Sequence, residues 1–578
     1  MSFEPELSRA LSVGAVRVLV WSDVLDRINV FPVADGDTGT NLALTLSILR
    51  NEIADTAAVN EALLLAARGN SGNIAARFLS GMLQEASNGL AEAARAGRDL
   101  AWKAVSKPVQ GTMLDVFDAL NSSLDAHGQE PGWIDRAVLD MEAAVLRTRE
   151  RLSELRLANV VDAGALGMFM FLDGVLKATD RRDDFHPIME PFGAYLNVSG
   201  PKNTAVACSV CIDAVIEVET NGETKDDDSG WRGLGPDTVT FRQDRYRKVH
   251  FHADNPDEAM AELRSRGTVI RWKTDDMSKQ VEIASEHALH GPVHVMTDAA
   301  GSLTREDAVR SGITLLDSYV IIDGTAVPET RVDPFELYAA MREGRKVSTT
   351  QASVQERHQH FEKALAMYDR VVYLCVGSAY TGNFDVAMEW KTANDTQDRF
   401  VVIDSTAASG RLALIALATA RRAVTEHSQE HLAAFAKKAR EACEEYIFLD
   451  TLRFLAAGGR LSKTSAFLGD ALRLKPVVSP LADGAKKVAT ARNRGEQVNI
   501  AFDRMDRCVL DGKDAIILLE HTDNREWIEN ELKQRVMARY HSAEILVMPM
   551  SVTSGAHMGP GTWAVALCRV PPSGDGMP

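Results

Sequence analysis

The sequence predicts a multidomain chain: an all-α first part, a small α+β middle part and a C-terminal α/β part. Three observations carry that expectation. With 578 residues, the chain is too long for one domain at roughly 100–200 residues each. Residues 1–195 are rich in Ala and Leu at helical spacing, whereas residues 200–285 turn β-branched. From residue 291 to about 570, short apolar runs alternate with helical segments, as in strands joined by crossover helices.

Within the first part, residues 60–90 and 133–155 have helical period and are broken by glycine-bearing loops. In the middle part, residues 206–219 and 238–253 read as extended, and residues 256–266 between Asn255 and Gly267 read as a helix. An acidic loop, residues 221–236, lies between the two runs. In the third part, strands are expected at residues 294–296, 371–376, 400–403, 515–519 and 544–549, forming a mostly parallel sheet. The most apolar window, residues 158–176, is interrupted by Asp162 and Asp173. A membrane helix needs about 20 largely apolar residues, so no span is expected and at most a transient membrane contact.

Composition excludes several classes. Hydrophobic residues make up 45% and charged residues 25%, as in folded soluble proteins and unlike disordered or fibrous ones. The net charge of −17 argues against a nucleic-acid partner, since sequence-independent binding rests on Lys and Arg neutralising phosphates. Six cysteines are too few for a disulfide framework and suit a reducing compartment. The acidic start Met-Ser-Phe-Glu-Pro-Glu-Leu does not resemble a secretory signal. A cytoplasmic protein is expected.

The sharpest local feature is Asn29-Val30-Phe31-Pro32-Val33-Ala34-Asp35-Gly36-Asp37-Thr38-Gly39-Thr40-Asn41. Hard Mg²⁺ prefers carboxylates, water and phosphate oxygens, and Asp35 and Asp37 suit it. Thr38 and Asn41 are placed to donate to phosphate at a helix start. By itself the stretch reads equally as an Asp-Gly turn with capping residues. Two further loops, Arg68-Gly69-Asn70-Ser71-Gly72 and Val161-Asp162-Ala163-Gly164-Ala165-Leu166-Gly167, offer glycine-lined edges for phosphate. No P-loop motif is present, which disfavours a Walker-type ATPase.

In the middle part, His250 and His252 fall on one face of an expected strand. Cys208 and Cys211, three apart, face opposite sides, so only one thiol can join them. Imidazole and thiolate suit Zn²⁺; surface histidines with buried cysteines are the plainer alternative. In the third part, hydroxyl-bearing segments recur, several of them after expected strands: Thr297-Asp298, residues 348–353, residues 377–382 with Thr381 and Gly382, Asp404-Ser405, and residues 458–462 with Arg460. His557-Met558-Gly559-Pro560-Gly561 stands near the end. Ligands of open α/β sheets bind beyond the strand ends, and hydroxyls with an imidazole suit a carboxylate, although such loops are also ordinary turns.

The first 190 residues resemble the nucleotide-binding subunit of dihydroxyacetone kinases and, more closely, the kinase component of bacterial fatty acid kinase. Residues 29–41, 67–72, 108–113 and 160–164 carry the resemblance, with Ala34 where the family usually has proline. It implies a DhaL-like helical barrel binding ATP, with Mg²⁺ on Asp35 and Asp37 and Asn29 as a third contact. Thr38, Asn41, Gly69, Asn70, Ser71, Gly72, Thr112, Asp162 and Gly164 would contact the nucleotide. The segment from Lys248 to Pro256 resembles that kinase's middle domain, whose cysteine and following acid match Cys211 and Asp213. This implies Zn²⁺ on Cys211, His250 and His252, in a structural role.

Residues 295–567 resemble the DegV family of fatty-acid-binding proteins, with two-lobed α/β architecture. The resemblance implies a fatty acid carboxylate held by Thr349, Thr381, Gly382, Arg460 and His557, the last also catalytic. Together these resemblances imply a fused enzyme that phosphorylates a bound fatty acid, dimerises through its kinase part and hands acyl phosphate to an acyltransferase. The alternatives are a kinase of a small hydroxyketone and a non-enzymatic lipid sensor that uses nucleotide only to switch.

Overall fold

The computed structural model describes residues 5–50, 56–128, 130–198, 208–218, 229–285, 291–457, 474–509 and 515–569. The chain divides into two compact units, Met1–Glu286 and His287–Pro578. Arg460 with its loop lies outside the described residues, as does much of the acidic loop 221–236.

The first unit opens with helices alone, from Pro5–Arg27 to Met189–Phe192. Its centre is the helix Ala163–Thr179, buried from Ala163 through Ala178. A helix apolar on every side belongs in a core or a membrane; this one is core. Arg17 at 3.0 Å and Lys177 at 3.4 Å neutralise its Asp173, which also accepts from His186 N at 2.9 Å. Gly174 packs so tightly on the first helix that a Cβ there would lie 2.9 Å from Gly14 Cα. Among the described residues no helix is long and apolar enough to cross a membrane.

The chain then forms an antiparallel sheet in the order Val239–Gln243, Tyr246–Ala253, Val210–Glu217, Thr268–Asp276. One face, with Ile212, Ala214, Ile216, Val249 and Phe251, packs on Ala259 and Leu263 of the helix Pro256–Arg266. Asn255 Oδ1 caps that helix, accepting from Asp257 N at 3.0 Å and Glu258 N at 3.3 Å, a role Asn fills well. The single run expected over residues 238–253 is two strands, folded back at Asp244, whose φ is +54°.

The second unit has three sheets. One is parallel, in the order Phe400–Asp404, Val371–Cys375, His294–Asp298, Ile313–Leu316. The second is antiparallel, with Tyr319–Ile322 between Thr325–Pro328 and Val347–Thr350. The third is mixed: Gly484–Ala491, Lys475–Leu481, Cys443–Phe448, Trp563–Arg569, Ala515–His521, Glu544–Pro549, parallel only at the last pair. The five expected strands are present, but a mostly parallel arrangement describes the first sheet alone. Hairpins account for the difference. Asp323 and Gly324 both have positive φ, +49° and +90°, the two-residue turn that closes an antiparallel pair.

Helix Ser409–Ala423 packs between the parallel and mixed sheets, and its first turn covers two buried acids. Glu445 lies opposite Ala566 and Glu520 opposite Ala564, so both carboxyls emerge on the same face. Arg411 N donates to Glu445 at 3.0 Å and Ser409 Oγ to Glu520 at 2.9 Å. Burial, reinforced for Glu445 by its acidic neighbour, pushes both carboxyls above the ordinary range. Stability from a raised carboxyl is full below its unfolded pKa and lost as pH rises through the folded one. Glu445→Gln should therefore raise the thermal midpoint by a few degrees at pH 8 and hardly at pH 5, read by calorimetry across that range.

Candidate nucleotide, metal and fatty-acid sites

The aspartate loop precedes the helix Thr38–Leu46 and is braced from within. Asn29 Nδ2 donates to Val33 O at 3.0 Å and to Asp35 Oδ1 at 2.7 Å, and Thr38 Oγ1 donates to Asn29 Oδ1. The Asn29 amide thus shapes the loop, using the oxygen that a third metal contact would need. Thr40 N and Oγ1 donate to Asp26 at 2.8 and 2.7 Å, fixing the helix start. Asp26 escaped the sequence reading because its partner is 14 residues away. Gly39 is required sterically: a Cβ there would lie 2.0 Å from Ser22 O.

Desolvation pushes Asp35 up to about 7, with Asp26 adding to the rise, and pushes Asp37 well above its usual value, where Asp35, Asp26 and Asp275 add to it. Two carboxyls so placed favour either a proton or a cation. The helix Gly69–Glu85 starts against the same loop. Gly69, at φ +58°, and Gly72 would collide with Asn41 and Thr45 if either carried a Cβ. Ser71 Oγ lies 3.5 Å from Thr38 O, and Asn70 Oδ1 is buried without a partner. Asp35, Asp37, Thr38, Asn41, Gly69, Ser71 and Gly72 therefore share one region.

Thr112, Asp162 and Gly164 form a second group. Thr112 precedes the helix Met113–His127, its Oγ1 donating back to Val109 O at 3.0 Å, and a Cβ on Gly164 would lie 2.6 Å from Met113 Cε. Asp162 caps its own helix through Ala165 N at 2.7 Å, and burial pushes its carboxyl up to about 7. Gly167 of that helix packs on Leu42, which links the two groups.

The sheet of the first unit presents its polar face to the first of these regions. Strand pairing sets Cys211 opposite His252 and Asp213 opposite His250, so all four side chains share a face. Atoms of Cys211, His250 and His252 able to ligate lie within 4.8 Å of one another, and all three residues are buried. His250 Nε2 is buried without a partner. One thiol and two imidazoles fit Zn²⁺ with a fourth position to fill. Burial and then Asp213, Asp37, Asp275 and Asp35 push the Cys211 thiol well above its usual value. The cluster thus lies within the electric field of the aspartate loop.

Asp213 ties sheet and loop together. It accepts from Gly69 N at 2.8 Å and Asn73 Nδ2 at 2.9 Å, and lies 3.3 Å from Lys248 Nζ and 3.4 Å from His250 Nδ1. Lys248 Nζ also donates to Ala67 O at 2.7 Å. Burial opposes charge on Asp213, but Lys248 and His250 overcome it and hold the carboxyl well below its usual value. The contacts to Gly69, Asn73 and Ala67 span 144, 140 and 181 residues of sequence, beyond the reach of local pattern.

In the second unit, Thr349 and His557 come together, with Thr349 Oγ1 3.0 Å from His557 Nε2. Thr349 is the last residue but one of the strand Val347–Thr350, and His557 the last but one of the short helix Val552–Met558. Thr381 and Gly382 follow the strand Val371–Cys375, where Thr381 Oγ1 accepts from Asn383 N at 3.3 Å. Below them Asp298 is buried. It accepts from Val376 N at 2.7 Å, Tyr373 OH at 2.9 Å, Asn383 Nδ2 at 3.0 Å and Arg357 Nη1 at 3.1 Å. This node fixes the strand ends that carry the hydroxyl loops; Arg357, in mid-helix, gave no sequence signal.

Comparison with known proteins agrees with this division. Residues 32–177 match the model of the DAK2 domain, residues 209–284 that of the FakA-like middle domain of fatty acid kinase, and residues 292–570 that of the DegV family. An uncharacterized protein of Staphylococcus epidermidis is 29% identical over 297 residues, covering 46% of this chain and 54% of that protein. One of Staphylococcus aureus is 27% identical over 301 residues, with the same coverage, 46% and 54%. The chain spans about half the length of the curated relatives it matches.

Among solved structures, a fatty-acid-binding DegV family protein from Thermus thermophilus matches with 24% identity and TM-score 0.45, over 48% of this chain and 99% of that chain. DegV, a fatty acid binding protein from Bacillus subtilis, matches with 21% identity and TM-score 0.44, over 48% and 100%. The chain joins, in order, a DAK2 domain, a FakA-like fatty acid kinase middle domain and a DegV family domain.

Proposed function

We propose that the chain is an ATP-dependent kinase that phosphorylates the carboxylate of a bound fatty acid, giving an acyl phosphate. The observation that carries the reading is the pair of half-buried carboxyls, Asp35 and Asp37, set against the glycine-started helix at Gly69. Asp35 and Asp37 would hold Mg²⁺, which supplies charge neutralisation to the transferring phosphoryl group. Thr38, Asn41, Asn70, Ser71 and the turns at Gly69 and Gly72 would bind the phosphates of ATP, with Thr112, Asp162 and Gly164 completing the nucleotide site. Cys211, His250 and His252 would hold Zn²⁺, with Asp213 bracing one imidazole. The closeness of this cluster to Asp37 supports a role nearer the chemistry than a purely structural ion.

Thr349, Thr381, Gly382 and His557 would hold the fatty acid carboxylate, Arg460 serving the same end from outside the described residues. A carboxylate is already a competent nucleophile, so the chain need only position it and exclude water. His557, beside Thr349, would keep the head group in place while charge leaves it. A product this prone to hydrolysis suits delivery to an acyltransferase. A homodimer through the kinase part and a cytoplasmic location complete the proposal.

ATP turnover measured with a long-chain fatty acid, with dihydroxyacetone and with neither separates this reading from its rivals. The fatty acid alone should stimulate turnover. Stimulation by the hydroxyketone alone, or no stimulation by either, overturns it.

A further inference from the structure

The carboxylate subsite of the second unit has a brace behind it that none of its expected ligands supplies. Glu329, 2% exposed, begins the short turn Glu329–Arg331. Its Oε2 accepts from Thr553 Oγ1 at 2.6 Å and Thr553 N at 3.4 Å, and its Oε1 accepts from Ser318 N at 3.2 Å. Each oxygen thus holds a different element.

Thr553 stands one helical turn before His557, on the same face of the helix Val552–Met558. Ser318 leads into the strand Tyr319–Ile322, in which Val320 pairs with Thr349. The ring closes at the 3.0 Å contact between Thr349 Oγ1 and His557 Nε2. From Glu329 the chain of contacts runs through Thr553 to His557, then through Thr349 and Val320 to Ser318 and back. Seven residues of helix are too few to hold a position alone, so the placement of His557 rests on such anchors. A second anchor, Ser551 N donating to Ser302 Oγ at 2.8 Å, fixes the start of the helix but not its rotation toward the sheet.

We propose that Glu329 is a positioning residue for the fatty acid head group: it clamps the helix bearing His557 to the sheet bearing Thr349, and so sets the gap in which the carboxylate is gripped. This rests on the reading that Thr349 and His557 hold that carboxylate. Glu329 acts through its hydrogen-bond partners Thr553 and Ser318. Its effect is confined to the polar end of the pocket, so it discriminates among ligands by head group and leaves chain length unaffected.

The test compares oleate with oleyl alcohol, both titrated by displacement of a fluorescent fatty acid from the full chain. Glu329→Gln keeps one oxygen for Thr553 and replaces the other with a donor that cannot accept from Ser318 N. It should weaken oleate about tenfold, one charge-assisted hydrogen bond, and leave oleyl alcohol unchanged. Glu329→Ala should do so more strongly where it folds. Equal weakening of acid and alcohol means a merely structural role and overturns the proposal, as does unchanged oleate affinity. Thr349→Val is run in parallel to separate the two levels. If Thr349→Val weakens oleate and Glu329→Gln does not, only the clamp is wrong. If neither does, the head-group reading itself fails.

Discussion

Asp37→Asn abolishes ATP-dependent phosphorylation and, in metal-free protein, raises the thermal midpoint. The two effects share one cause. Asp35 and Asp37 are half-buried neighbours, and their desolvation holds Asp35 up to about 7 and Asp37 well above its usual value. A carboxyl raised in the folded state contributes its full stability below the unfolded pKa, about 3.9. That contribution is lost as pH rises through the folded value, near 7 for Asp35. Neutral asparagine escapes the corresponding loss at Asp37, whose carboxyl is raised well above its usual value, so the gain in midpoint should grow as pH rises and fade toward about pH 4. Mg²⁺ should raise the wild-type midpoint by mass action, worth about 2.7 kcal/mol at a hundred times its dissociation constant. In Asp37→Asn that rise should be absent. Calorimetry with and without Mg²⁺ checks both points; wild-type turnover in the variant contradicts the assignment.

The second large effect concerns the lipid. Thr349→Val and Thr381→Val should each weaken fatty acid binding by roughly ten- to a hundredfold. A hydrogen bond to a charged group contributes about 1.5–3 kcal/mol, and about 1.4 kcal/mol is a factor of ten. Valine matches the shape of threonine, so the loss belongs to the hydroxyl. ATP affinity should stay unchanged, because each substitution removes only a hydroxyl donor to the fatty acid head group. Fluorescent fatty acid titration reads the effect, and unchanged affinity in both variants would place the carboxylate elsewhere.

Much of the architecture was legible because it is local. The helix Pro256–Arg266 is bounded by an Asn cap and a glycine, and its ends are written in those two residues. The central helix Ala163–Thr179 announces its burial by being apolar on every side. What escaped is long-range. The strand Thr268–Asp276, mostly exposed along its length, lacks an apolar pattern, and its pairing with Val210–Glu217 depends on residues far upstream. The antiparallel sheets of the second unit hinge on turns such as Asp323-Gly324, a signal present in the sequence but outweighed by the alternation of strands and helices.

The candidate sites divide in the same way. The aspartate loop is contiguous, so its residues could be named together. Asp26 and Glu329 are single acids in unremarkable surroundings; Asp213 was matched only as the acid after a cysteine and Asp298 falls at an expected strand end, and folding shows what each one holds. The face shared by His250 and His252 followed from strand period, the choice of Cys211 over Cys208 came from the resemblance, and the approach of the three to Asp37 was not legible.

The central claim is that a fatty acid carboxylate attacks the terminal phosphate of ATP. The most direct measurement incubates the protein with ATP, Mg²⁺ and oleate in the presence of hydroxylamine, which converts an acyl phosphate to a stable hydroxamate, and follows the hydroxamate by mass spectrometry. The account predicts oleoyl hydroxamate in step with ADP, and none with Asp37→Asn. ADP formed without hydroxamate would contradict it.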